Sequence, residues 1–320
     1  MSSRTVAEWG SSPGDSLGPA AGHRLEHPCS SVLIRTPAYD VAMRHTMPLA
    51  RDDGFTLEEQ RMHSATDRWW PVQAHARHAL VLGRRGSYAV RLRGWQATLD
   101  PVSAFAAAPG DEQTIAHRAG ARDMCTVLTL DPPLLDDLTA GGAALPDRPV
   151  VVDGRTQLRH RLLLRHTRRG ADRFTVFEEA IRLATAVLRQ PAPRPAGAQR
   201  PATARAQRRI VRDARDLLAA DPAGLSPAEL ARAVGVSPHH LSRIFHRHHG
   251  RTLSQFRLQV RIHRALDRIE AGESDLSGLA ADLGFADHAH LTRTLRTHVG
   301  HPPTALRRLL GADGPERPPA

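Results

Sequence analysis

Apolar residues in this chain come in two rhythms. Between about Val32 and Leu130 they form short or alternating runs broken by Gly and Pro: HALVL at 78–82, YAVRL at 88–92, WQATL at 95–99 and TVLTL at 126–130. That spacing predicts a small antiparallel β-barrel or sandwich. Residues 156–189 then place Leu and Val at helical spacing with Arg on the opposite face, which predicts two helices after the strands. The stretch Gln190–Thr203, QPAPRPAGAQRPAT, holds so much Pro and Ala that it can neither pack a core nor continue a helix, and it reads as a domain boundary.

Past this boundary the rhythm is helical throughout. Over Ala206–Leu218 one face collects Ile210, Val211, Ala214, Leu217 and Leu218, and the run stops at Asp221-Pro222. In LSPAELARAVGVSPHHLSRIFHRHHG, residues 225–250, Ser226 and Ser237 are N-cap candidates. Each precedes a Pro at the first helical position, where the missing N–H removes no hydrogen bond. Two short helices around a Gly235-Val236 turn follow. In the second, Leu241, Ile244 and Phe245 share the buried side, leaving His239, Ser242, Arg243 and His246 facing outward.

The pattern returns about fifty residues later in DLSGLAADLGFADHAHLTRTLRTHVG, residues 275–300. Here Ala280, Leu283, Phe285, Leu291 and Leu295 fill the core, His288, Ala289, Thr292, Arg293 and Arg296 point away, and Gly284 permits the turn. Residues 255–272, QFRLQVRIHRALDRIEAG, join the two units as one continuous helix. Some 16 residues at 1.5 Å each give a spacer of ~24 Å, which with its flanking turns suits two recognition helices about 34 Å apart, one turn of B-DNA.

Charge sharpens this picture. The 320 residues, enough for two domains, carry 44 Lys+Arg against 33 Asp+Glu, a formal net charge of +11, and every one of those cations is Arg. Residues 205–310 hold 17 Arg against 10 acids, so most of the excess lies in the last third. Such a surface attracts polyanions, and guanidinium forks suit phosphates and guanine edges. An α-helix fits the major groove, where an exposed Arg can discriminate guanine by about 1–3 kcal/mol.

Two cysteines, Cys29 and Cys125, are too few for a disulfide framework, and no apolar run approaches the ~20 residues that span a bilayer. A cytoplasmic protein without membrane contact is expected. Residues 1–30, rich in Ser, Gly and Pro and without an apolar segment, and residues 311–320 are expected to be disordered tails. Cys125 reads as a small buried hydrophobe, and Trp69, Trp70 and Trp95 as core residues or as lining for a barrel mouth.

The string GVSPHHLSRIF with its closing Gly250, then RIHRALDRI, then LGFADHAHLTRTL and Gly300-x-x-Pro303 resemble the DNA-binding domain of the AraC/XylS transcriptional regulators, over about 100 residues and in the family's order. The resemblance implies base-facing positions at His239, Ser242, Arg243 and His246 in the first unit and at His288, Ala289, Thr292 and Arg293 in the second. Leu291 and Leu295 stand where the family commonly has Phe. It also implies an upstream cupin-like barrel that binds a small-molecule effector and carries dimer contacts. The expected chain is thus α+β: tail 1–30, cupin-like sensor and dimerisation domain 31–190, linker 191–204, double helix-turn-helix domain 205–310, tail 311–320. It would be a homodimeric, non-enzymatic activator or other regulator on double-stranded DNA, with RNA polymerase as a further candidate partner and no cofactor.

Two rivals remain open at this point. A metal-dependent cupin enzyme with a helical appendage would need His-x-His, a Glu and a further His converging on a metal; in the strand-rich region His75-Ala-Arg-His78 has the wrong spacing for neighbouring inward positions on a strand, although His117 could approach either. An Arg-rich protein adsorbing to RNA or anionic membrane without sequence choice is opposed by the paired, capped helices. No Walker motif, Gly-x-Ser-x-Gly elbow, CxxC pair or HExxH is present.

Overall fold

The computed structural model describes residues 30–35, 41–140, 144–191 and 201–311. Cys29 lies outside the described residues, as do all but Ser30 and Gly311 of the expected tails and 192–200 of the expected linker.

The first domain contains β1 Ser30–Arg35, β2 Val41–Arg51, β3 Phe55–Ser64, β4 Gln73–Ala74, β5 His78–Arg85, β6 Tyr88–Leu92, β7 Trp95–Leu99, β8 Ser103–Ala107, β9 Glu112–Ala116, β10 Arg122–Leu130, α1 Pro132–Thr139, β11 Val150–Val151, α2 Gly154–Arg168 and α3 Arg173–Leu188. The four apolar runs of the sequence are β5, β6, β7 and the second half of β10. All pairings are antiparallel, in a seven-stranded sheet ordered β1-β2-β3-β10-β5-β8-β11 and a four-stranded sheet ordered β4-β9-β6-β7.

The larger sheet is covered on both faces, which is why β5 and β8 are buried along most of their length. Ala79, Val81, Phe105, Cys125 and Val127 pack toward Tyr88, Val90 and Ile115 of the smaller sheet. Leu80, Leu82, Ala104, Leu128 and Leu130, one residue out of phase, meet Leu163, Val176 and Leu183 of α2 and α3. Asp153 and Asp172 cap α2 and α3, accepting from the Thr156 and Thr175 amides. Glu59, fully buried on β3, is held by Arg61, Arg84 and Arg168 at 2.6–2.9 Å, which ties the sheet to α2. Burial raises its pKa, but the three guanidiniums outweigh this and hold the carboxyl below its ordinary value.

The second domain contains α4 Pro201–Ala220, α5 Pro227–Ala233, α6 Pro238–His249, α7 Leu253–Glu270, α8 Leu276–Asp282, α9 His288–Val299 and α10 Pro303–Leu310. Residues 201–204, expected in the linker, are instead the first turn of α4, where Pro201 loses no intrahelical bond. Helix α7 starts two residues earlier than expected because Thr252 and Gln255 close a capping box. It feeds two cores: Phe256 and Val260 join Leu218, Leu241 and Phe245, whereas Ile262, Leu266 and Ile269 join Leu279, Leu291 and Leu295.

Candidate nucleic-acid interface

Helix α5 opens with a capping box in which Ser226 and Glu229 satisfy each other's amides, and α6 opens on Ser237, whose Oγ accepts from the His240 amide at 3.2 Å. Leu241, Ile244 and Phe245 are fully buried, whereas His239, Ser242, Arg243 and His246 are exposed. Helix α9 opens on Asp287, which accepts from the His290 amide at 2.6 Å. Leu291 and Leu295 are fully buried; His288, Ala289, Arg293 and Arg296 are exposed. Thr292 is half-buried, its hydroxyl 3.3 Å from His288 Nε2.

The turns between the paired helices depend on glycine. Gly235 and Gly284 have φ of 73° and 72°. At Gly284 a Cβ would also lie 2.9 Å from Ala223 Cα, so the second turn is closed sterically as well as conformationally.

Among the described residues, Arg293 and Arg296 have no ion-pair partner, and Arg243 touches only His240 Nδ1, at 3.2 Å. Two rows of polar and cationic side chains therefore stand outward with donors unspent. Arg251, just past α6, is half-buried beside Asp153, Arg155, Arg159 and Gln255.

The opposite side of each unit is fixed to the first domain. In the first unit Arg215 of α4 donates from Nε to Asp100 Oδ2 at 3.0 Å, from Nη1 to the Thr98 carbonyl at 3.0 Å and from Nη2 to Ser103 Oγ at 2.8 Å. Its Nη2 also meets Asp100 Oδ2, and its guanidinium lies 5.1 Å from the Phe256 ring. Asp216, the next residue, binds Arg118 and accepts from Ser87 Oγ at 3.1 Å.

The second unit meets α2. Arg161 reaches Asp267 at 2.5 Å, Glu270 at 3.3 Å and His263 Nδ1 at 3.0 Å, Arg165 donates to the Leu309 carbonyl, and Leu158 enters the second core. Burial, with Arg161 close by, pushes the His263 imidazole below its ordinary pKa, and burial with Arg84 and Arg161 does the same, more strongly, for His160. This seam was not foreseen in the sequence, where Arg161 and Arg215 look like ordinary solvated helix positions.

Elsewhere in the first domain, His117 bonds Asp123 at 2.5 Å and packs on the Trp70 and Tyr88 rings. Among the described residues no three His, Cys, Asp or Glu side chains are grouped as metal ligands would be, so His75, His78 and His117 do not converge. Cys125 is buried, with burial pushing its thiol up to about 11. Trp70 and Trp95 are core residues, whereas Trp69 is half-buried and stacks on Arg91 at 3.8 Å. No helix among the described residues is long and apolar enough to cross a membrane.

Residues 230–309 match a family profile described as a helix-turn-helix domain. Over 88 residues the chain is 28% identical to the HTH-type transcriptional regulator GlxA of Rhizobium meliloti (strain 1021), a match covering 28% of this chain and 27% of that protein. The match thus spans about a quarter of the length of that relative. Among solved structures, a transcriptional regulator with an AraC-type DNA-binding domain from Chromobacterium violaceum is 25% identical over 35% of this chain and 99% of its own, with a TM-score of 0.31. ToxT from Vibrio cholerae O395 is 10% identical over 81% of this chain and 99% of its own, with a TM-score of 0.32. TM-scores this low add nothing to what the helices themselves display. By sequence, residues 230–309 are thus similar to a helix-turn-helix domain, and over the same stretch the structure places two capped helix pairs joined by α7.

Proposed function

We propose that this protein is a sequence-specific transcription regulator whose first domain senses a small molecule and whose second domain reads double-stranded DNA. The observation that carries this reading is the pair of outward rows on α6 and α9, each backed by a fully buried apolar face and each free of carboxylate partners among the described residues. His239, Ser242, Arg243 and His246 are assigned to one major groove and His288, Ala289, Thr292, Arg293 and Arg296 to the next. The cavity between the two sheets, about 220 Å³, is assigned to the effector. The domain limits, a homodimer, contact with RNA polymerase and a cytoplasmic location belong to the same proposal, as does the absence of catalysis. The cupin-enzyme alternative is not favoured, since its three histidines do not converge.

Titration of the full chain onto its own upstream DNA and onto random duplex, across salt concentrations, tests the assignment. Arg243→Ala and Arg293→Ala should each lose about 1–3 kcal/mol of discrimination between the two DNAs, while Arg251→Ala weakens both equally. Equal losses on both DNAs for all three variants would refute the base-reading roles.

A further inference from the structure

The cavity between the two sheets contains a cation without an answering charge. Arg44 stands opposite Met62 in the β2–β3 register, and Cys125 of β10 stands opposite Gln60, so this face of the large sheet looks into the barrel. Arg44, Gln60, Met62 and Cys125 all line the cavity, yet no Asp or Glu does. Arg44 Nε is buried without a hydrogen-bond partner, and the guanidinium lies 5.7 Å from the Trp70 ring, a contact that offers no acceptor oxygen. Asp123, on the same face of β10, is committed to His117. Arg77, the other cation of the lining, already pairs with Asp131 at 2.9 Å.

Burial pushes the Arg44 guanidinium below its ordinary pKa, but guanidinium remains charged at neutral pH, so the cavity holds one uncompensated positive charge. The remaining wall sets polar Gln60, Gln73, Gln113, Tyr88 and Thr129 beside an apolar cluster of Met62, Val81, Phe105, Ile115 and Val127. Gln113 Oε1 and His75 Nε2 are also buried without partners.

We infer that this cavity binds a small monocarboxylate with an apolar body, its carboxylate held in the fork of Arg44 and its hydrocarbon against Met62, Val81, Phe105, Ile115 and Val127. A single guanidinium matches one negative charge, so the wall discriminates against a phosphate dianion. This inference rests on the effector reading and names the class of molecule that would fill the sensor.

The test uses the purified full chain in titration calorimetry and thermal melting. The probes are benzoate, phenylacetate and the straight-chain acids from butyrate to decanoate, each beside its own primary amide. At least one acid should bind and raise the melting temperature where its amide does not. Arg44→Gln should weaken that acid at least about tenfold, and Arg44→Lys should lose less. The inference is overturned if no acid outperforms its amide, or if Arg44→Gln binds the same acid as tightly as the parent; the acid-against-amide comparison on the parent protein stands even if the variant fails to fold. An acid that binds through Arg44 but leaves DNA affinity unchanged would keep the site and remove the effector reading. Sequence-specific DNA binding without any acid binding would remove the site and leave the regulator reading intact.

Discussion

Arg215, at the seam between the domains, and Arg44, in the wall of the barrel cavity, are both guanidiniums withdrawn from water, and the fold treats them in opposite ways. Around Arg215 every direction is answered: a carboxylate, a hydroxyl, a carbonyl and an aromatic face close on it. Around Arg44 the fold supplies an aromatic ring and a cavity wall without a carboxylate. A buried charge is expensive unless paired, so full pairing marks a structural joint and missing pairing marks a place prepared for something else. The contrast separates what holds this protein together from what it is built to bind.

The most severe way to break the contrast is to make Arg215 resemble Arg44. Asp100→Ala should cost about 3–5 kcal/mol in urea denaturation at neutral pH, because it strands a buried cation. Combining Asp100→Leu with Arg215→Met should restore most of that stability, since apolar pairs of similar volume replace buried ion pairs at little cost. A loss below about 1 kcal/mol for the single change would mean that the seam opens to water and the charge was never trapped.

Acidification probes the other half of the seam. His160 and His263 have folded-state pKa values below their ordinary value of 6.5, so their contribution is fully present above that pH. It is lost as pH falls below 6.5, because the unfolded chain takes up protons that the folded chain refuses. Between pH 6.5 and 5.5 thermal stability should fall by up to about 1.4 kcal/mol per pH unit for each histidine, and His160→Asn should remove one share of that slope. A flat profile over this range in the parent protein would contradict the burial argument.

Ser103→Ala, which deletes the hydroxyl between Asp100 and Arg215, should cost about 1 kcal/mol by the same denaturation assay. Smallest of all should be Arg44→Met in the absence of any ligand, within about 0.5 kcal/mol of the parent or more stable than it. A large destabilisation there would show that Arg44 is paired after all, and the contrast with Arg215 would dissolve.

The second domain was the more legible in the sequence, and the reason is local. Its caps, glycine turns and apolar faces lie within a few residues of one another, so Ser226, Ser237, Gly235 and Gly284 announce the helices before any tertiary contact is known. The strands β5 to β7 and β10 were legible for the same reason. Strands β2 and β3 were not, because their interleaved Arg, His and Glu resemble solvated loop. Glu59 is in fact fully buried, and what stabilises it there comes from Arg84 and Arg168, far away in sequence. Arg44, Arg161 and Arg215 escaped notice likewise, since nothing adjacent to an Arg states whether it ends in water, against a carboxylate or in a cavity. The Pro-rich segment reads as a domain boundary, but nothing in it tells that buried ion pairs clasp the two domains together.

Gly154, the first residue of α2, shows how tight that clasp is: a methyl group added there would sit 3.0 Å from the His298 carbonyl and 3.1 Å from Ile262 and Val299 side-chain carbons. Helix α2 therefore begins where the last turn of α9 ends, and a side chain between them would have to push its neighbours aside. Among the described residues, α2 packs on the face of the large sheet opposite the cavity. Any rearrangement of the sheet large enough to tilt α2 must carry α9 along or tear it free, so motion in one domain reaches the other by backbone abutting backbone.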